Sequence, residues 1–155
     1  MTKLAAIRIR GNIGVDKFKS KTLNQLKLFN KNYCVILDSN HNHIGMLTKI
    51  KDYITWGEID EETFRLLFKE RGRMPSNKQI SEDHLKGKNF DLNSFVKDFF
   101  NNKRSFKDIP GLKPFFRLKP PIKGFERGGI KRPFSLGGVL GYRKDKINEL
   151  IQRMI

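Results

Sequence analysis

His41-Asn42-His43 sets two imidazoles two residues apart, and imidazole nitrogen is the commonest side-chain metal ligand. A metal centre needs further ligands and a supporting layer of hydrogen bonds. Only one other histidine exists, His84, so the residues argue against a metal nuclease. Phosphate-cradling loops are equally poorly supported. No G-x-x-x-x-G-K-[ST] string occurs, and Gly-Gly-Val-Leu-Gly at 137–141 lacks the dinucleotide-binding spacing. Cys34 lies in the apolar run Tyr-Cys-Val-Ile-Leu and reads as a small buried hydrophobe, not a nucleophile. Asp60, Glu61 and Glu62 read as charge at a helix start. These residues support neither catalysis nor a cofactor, and the expectation is a non-enzyme without one.

The chemistry in which the chain is rich is ionic. Its 155 residues carry 32 Lys and Arg against 16 Asp and Glu, a net charge of +16. Such an excess speaks about partners rather than fold, and a polyanion is the expected partner. The charge is concentrated: residues 103–155 hold 14 basic and 4 acidic side chains, with five of the six prolines and seven of the thirteen glycines. Between Lys103 and Tyr142, ten basic residues alternate with Phe106, Phe115, Phe116, Phe125 and Phe134. Gly and Pro prevent a long helix there, so the backbone is expected to run extended with turns. Lys and Arg on such a segment displace counterions from phosphate, and aromatic rings can stack on unpaired bases. Candidate RNA contacts in it are Lys103, Arg104, Lys123, Arg127, Lys131 and Arg132, while each single Phe reads first as core. Lys123-Gly124-Phe125 opens like an RRM signature, but Glu126 and Arg127 break it.

These side chains need positioning elements. Leu4 to Arg10 alternates, with Ala5, Ile7 and Ile9 on one face and Arg8 and Arg10 on the other, the pattern of a half-buried strand. If helices cover the Ile face, Arg8 and Arg10 lie on an open sheet face, a geometry that suits RNA. Val15, Phe18, Thr22, Leu26 and Phe29 have helical spacing. Residues 33–37 read as a buried strand and 38–43 as a polar turn. Met46, Leu47, Ile50 and Ile54 return to helical spacing, and Thr55-Trp56-Gly57 ends that helix or begins a third strand. Lys49 and Lys51 beside Trp56 form another candidate contact. The order β-α-β-α-β over about 60 residues suggests a small sheet with two helices on one face.

Further on, a helix is expected from the acids at 60–62, through Phe64, Leu67 and Phe68, to a stop at Gly72. A turn of helix is expected at 81–85. Asp91 caps a helix with Leu92, Phe95, Val96, Phe99 and Phe100 on one face. A last helix, capped by Asp145, carries Ile147, Leu150, Ile151 and Met154. The expected division is a core at 1–60, a helical extension at 61–102 and a basic Pro/Gly-rich extension with a terminal helix at 103–155. The 37% hydrophobic content and 13 Phe exclude full disorder. One cysteine excludes an intramolecular disulfide framework. Charge interrupts the N-terminus too early for a secretory signal, and no apolar run approaches a membrane span of about 20 residues. The expectation is a soluble, reduced, intracellular protein.

Lys-Asp-Tyr-Ile-Thr-Trp-Gly-Glu-Ile (51–59), Arg-Gly-Arg (71–73), Gly-Leu-Lys-Pro-Phe-Phe-Arg-Leu-Lys-Pro-Pro (111–121) and the stretch 137–154 together resemble the archaeal long form of the large-subunit ribosomal protein L-thirty family. The resemblance runs along essentially the whole chain; 76–90 matches least. It implies an α+β fold, with a ferredoxin-like β-α-β-α-β core, a small antiparallel sheet and a C-terminal extension. It implies a structural role on the cytoplasmic ribosome, binding large-subunit rRNA near the central protuberance that carries 5S rRNA, beside other ribosomal proteins. No membrane, catalytic residue or small-molecule substrate comes with it. Matching positions that would contact rRNA are Lys49, Lys51, Trp56, Arg71, Arg73, Lys113, Arg117, Lys119 and Arg143. Lys144 departs from the pattern, since relatives often have Gly after the Tyr-Arg pair. The core would supply position, and the extension, mobile before assembly, would thread along RNA. The rival reading is a free RNA-binding or RNA-processing factor.

Overall fold

The computed structural model describes residues 2–80 and 91–155. The alternation at the N-terminus forms β1 (Lys3–Arg8). It is the central strand, flanked on both sides by antiparallel partners, β2 (Tyr33–Asp38) and β3 (Ile54–Glu58). Ala6 faces Val35 on one side and Trp56 on the other. Helix α1 (Lys17–Gln25) joins β1 to β2, and α2 (His41–Lys49) joins β2 to β3. Since β1 lies between β2 and β3, the unit β2-α2-β3 is a split βαβ, the ferredoxin-like arrangement. The third strand is therefore formed, and the turn expected at 38–43 is shorter, because α2 begins at His41.

Two short strands extend the sheet. β4 (Phe116–Arg117) pairs antiparallel with β2, and β5 (Gly141–Tyr142) pairs parallel with β3. The order is β4-β2-β1-β3-β5. The three core strands are antiparallel as expected, and β5 makes the five-stranded sheet mixed.

The sheet is covered on both faces. Leu4 and Ala6 pack with Leu23, Leu26, Leu47, Ile50 and Trp56, on the layer of α1 and α2. Ala5, Ile7 and Ile9 pack on the opposite layer. That layer consists of α3 (Glu61–Arg71), α4 (Leu92–Phe100) and α5 (Ile147–Met154). The expectation of one open, Arg-bearing sheet face is overturned: α1 and α2 cover the Arg8 face, and the extension covers the Ile face. Every residue of β1 is buried.

Caps explain where the helices start. Asp60 accepts from the Thr63 amide at 2.7 Å, and Asp91 accepts from the amides of Asn93 and Ser94 at 3.1 and 3.3 Å. Gly72 ends α3. At α5 the expected Asp145 cap is absent, and a 3₁₀ turn, Lys144–Lys146, runs directly into the helix. The apolar stripe expected at α1 is shorter than its spacing suggested. Leu23 is fully buried, whereas Phe18 is 70% exposed because no neighbouring element covers it. The turn expected at 81–85 lies outside the described residues.

The extension does not behave as a loose arm. Phe116, Leu118, Val139 and Leu140 join the same core as Ile7, Phe64, Phe95 and Leu150. Burial of this apolar surface, each fully buried large side chain contributing about 1.5–3 kcal/mol, holds residues 106–155 on the sheet. The expectation of a mobile extension is corrected accordingly. No helix among the described residues is long and apolar enough to cross a membrane.

Candidate nucleic-acid interface

Three of the expected contacts are structural side chains. The Arg8 guanidinium donates to the carbonyls of Arg10, Leu28, Phe29 and Gly11 at 2.8–3.1 Å. It closes the two loops beside β1, and burial lowers its pKa. Arg143 donates to Thr55 Oγ1 at 2.8 Å, Glu126 Oε1 at 2.9 Å and the Val139 carbonyl at 2.8 Å. Its guanidinium also sits 4.7 Å from the Phe134 ring centroid. Burial lowers its pKa while Glu126 opposes that shift. Trp56 is 8% exposed and lies in the core beneath α1 and α2. A base or phosphate has no access to these three, so Arg8, Trp56 and Arg143 are corrected to folding roles. Arg8 and Trp56 are covered by α1 and α2, and Arg143 is enclosed by the loop before β5; neither closure is visible as periodicity.

A second group is partly engaged. Arg10 lies over the Tyr53 ring at 5.3 Å, with Lys19 5.5 Å from the same centroid. Arg71 donates to the carbonyl of Ile155. Arg73 donates to the carbonyls of Glu70 and Gly72 at the end of α3. The Lys113 amide meets the Arg73 carbonyl at 3.0 Å, so Arg71, Arg73 and Lys113 share one corner of the molecule. Arg104 pairs with Asp98 at 3.3 Å.

The remaining candidates are exposed: Lys49, Lys51, Lys103, Arg117, Lys119, Lys123, Arg127, Lys131 and Arg132. They do not form one patch. Arg117 stands on β4 at one edge of the sheet, whereas Lys131 and Arg132 precede β5 at the opposite edge. Lys119 follows β4 alongside the end of α5, its amide donating to the Met154 carbonyl. The cations therefore lie around the sheet and not in one groove.

Sequence reasoning passed over one group at the β4 edge. Tyr33 on β2 stacks on Phe115 with centroids 5.1 Å apart, and Phe29 meets Phe115 edge-on at 5.8 Å. Arg117 lies over Tyr33 and Phe115 at 5.7 and 5.9 Å, and Lys27 lies over Phe29 at 6.0 Å. Phe29 reads in sequence as the last residue of a helical stripe. The flanking Lys27 and Lys31 were the available signal that Phe29 turns outward, although Leu28 beside it stays fully buried.

The groups set aside as catalytic are placed as follows. His41 and His43 sit in the first turn of α2, and His43 Nδ1 is 2.9 Å from the Asp38 carbonyl. Cys34 is fully buried, and burial pushes its thiol pKa up. A cleft of about 410 Å³ lies between the β1–β2 end and the turn after α4. Its wall includes Lys3, which is ion-paired to Asp38 and donates to Asn102 Oδ1 at 2.6 Å. His84 lies outside the described residues.

Residues 4–54 match the family described as Ribosomal protein L30p/L7e. Along the whole chain, similarity extends to proteins named large ribosomal subunit protein uL30. The Methanopyrus kandleri protein is 43% identical over 149 residues, covering 95% of this chain and 100% of the relative. The Methanosphaera stadtmanae protein is 46% identical over 154 residues, covering 97% and 99%. The Nanoarchaeum equitans protein is 46% identical over 158 residues, covering 100% of both.

The chain belongs to the uL30 family.

The family match at 4–54 runs from the second residue of β1 through α1, β2 and α2 to the first residue of β3. The extension that closes the second face is shared with the full-length uL30 relatives. The edge group unites the two parts: Phe29 and Tyr33 lie within 4–54, and Phe115 and Arg117 beyond it.

Proposed function

We propose that the chain is a structural constituent of the large ribosomal subunit that binds and stabilises rRNA near the central protuberance, with 5S rRNA and other ribosomal proteins as neighbours. The observation that carries this reading is full-length similarity to relatives named large ribosomal subunit protein uL30. The net charge of +16, distributed around a closed globule, supports it. Lys and Arg on separate edges neutralise phosphates on separate RNA segments and lower the repulsion between them. Most contacts are to phosphate and 2′-hydroxyl, reading shape, because the deep major groove of A-form RNA excludes side chains. The docked extension presents its cations already positioned, so less chain entropy is lost on assembly. Nothing in this role requires a reaction.

Chemical footprinting with co-sedimentation tests the proposal. The expected result is protection of a defined large-subunit rRNA region and retention on the subunit in high salt. Release at modest salt, with no preferred rRNA region, would indicate a free RNA-binding factor instead.

A further inference from the structure

The rings at the β2–β4 edge carry more chemistry than packing requires. Tyr33 and Phe115 border the core beneath α1 and α2, and their mutual stack buries one face of each ring. Phe29 remains 37% exposed. It is held out on a turn whose backbone takes two left-handed non-glycine conformations, at Lys27 (φ 63°) and Asn32 (φ 66°). Such conformations carry a cost that the surrounding fold must offset. The cations beside the rings are uncommitted. Among the described residues, neither the Arg117 nor the Lys27 side chain has a carboxylate partner or a hydrogen bond, and both lie over aromatic rings.

The two chain segments that carry the group hold charge of one sign, and the one acid ion-paired to them among the described residues, Asp52, lies 3.7 Å from Lys19 on α1. Residues 17–37 contain Lys17, Lys19, Lys21, Lys27 and Lys31 and no acid; 109–125 contain Lys113, Arg117, Lys119 and Lys123 and no acid. A partner that supplies both a flat π-face and flanking negative charge fits this surface, and an unpaired nucleotide supplies both. A paired base does not, because its faces are already stacked within the duplex.

We propose that Phe29, Tyr33 and Phe115 form a stacking platform for an unpaired nucleotide, with Lys27 and Arg117 engaging the phosphates on either side of it. The platform rests on the rRNA-binding reading above and deepens it. It requires both parts of the chain, since the core supplies Phe29 and Tyr33 and the extension supplies Phe115 and Arg117.

The test uses the full chain with two labelled probes, a single-stranded oligoribonucleotide of twelve uridines and a blunt twelve-base-pair RNA duplex. Phe29→Leu and Phe115→Leu keep an apolar side chain of reduced volume while removing the π-face. Each is expected to weaken single-strand binding by roughly 5- to 150-fold, the range measured for one base–aromatic stack. Duplex binding should change less than twofold, and the salt dependence should not change. Arg117→Gln should instead reduce the slope of log K against log salt on the single strand by about 0.7. Phe29→Leu, at an exposed ring, guards against misfolding, with an unchanged melting temperature as the check. Equal losses on both probes, or no loss in a variant that melts normally, would overturn the platform. If that occurs while the parent chain still protects its rRNA region, only the platform falls. Loss of all rRNA preference in the parent chain removes the ribosomal reading as well.

Discussion

Gly57 on β3 and Lys144 after β5 are in backbone contact: a Cβ at position 57 would lie 1.9 Å from the Lys144 carbonyl oxygen. Lys144 itself is held at φ 53°, in the left-handed region. The two positions are halves of one device. β5 pairs in parallel with β3 only because Gly57 lets the turn after Tyr142 lie flat against the strand.

Opposite outcomes follow at the two positions. Gly57→Ala forces the turn away from β3 and should destabilise by roughly 1–3 kcal/mol, as overpacking does. Lys144→Gly relieves a side chain in the left-handed region, worth about 1–2 kcal/mol, against about 0.4–1 kcal/mol of added unfolded-state entropy. The net expectation is neutral to about 1.6 kcal/mol stabilising. Urea titrations check both, and a Gly57→Ala variant as stable as the parent would show that the contact is dispensable. The φ of 53° at Lys144 is one that glycine adopts without strain, which is the physical content of the departure noted at this position.

Arg143 and Arg117 should separate cleanly. Arg143→Met leaves Thr55 Oγ1 and the Val139 carbonyl without their donor and removes one partner of Glu126. Breaking a buried pair costs about 3–5 kcal/mol. Glu126 keeps a 3.7 Å contact with Arg153, so the lower end is expected. Replacing Arg117, Lys119 and Arg132 together should leave the melting curve within a degree or two. The same triple variant should flatten the salt dependence of rRNA binding by about 0.7–0.9 per lost phosphate contact. Filter binding across a salt series reads the slope; an unchanged slope removes these three from the interface.

Tyr142 gives the fold a response at alkaline pH. It donates a hydrogen bond to Glu58; that bond first, then desolvation and the Glu58 charge, push its phenol pKa up to about 12. Because this value is raised above that of the unfolded chain, near 10, the folded state retains the proton longer. The associated stability is complete below about pH 10 and is lost as pH rises through 12. The ring is partly exposed, so the effect is modest. Stability curves of the parent and Tyr142→Phe should run parallel up to pH 10 and converge by pH 12. Curves parallel throughout would show that the bond contributes nothing.

Cys34, fully buried with its thiol pKa raised by desolvation, should be inert to Ellman's reagent in the folded protein. It should react stoichiometrically in 6 M guanidinium chloride. Rapid labelling without denaturant would mean that the β2–β4 edge opens readily.

Much of the fold was legible because local signals agreed with one another. The period-two alternation of β1, the Asp60 and Asp91 caps, and the stop at Gly72 each act within a few residues, and each appears where the pattern puts it. The two-faced burial of the sheet was not legible, because it depends on segments 50 to 150 residues away in sequence. Arg8 shows the consequence. Alternation correctly sets it opposite Ile7 and Ile9, but nothing in the pattern says whether that face meets water or α1. Arg143 likewise sits in a basic, turn-rich stretch indistinguishable from solvated surface until Glu126 and Thr55 close on it. Charge composition identifies the class of partner and cannot tell a guanidinium facing phosphate from one facing a carbonyl.

The closing of the Ile face by the last third of the chain has a consequence during synthesis. Ala5, Ile7, Ile9, Cys34 and Ile36 are made first, yet the helix that finally covers them ends at Met154. At about 5–20 residues per second, that greasy surface is not fully covered for roughly 6–30 s as the nascent polypeptide lengthens. Completion of that face is therefore tied to the last residues to be translated.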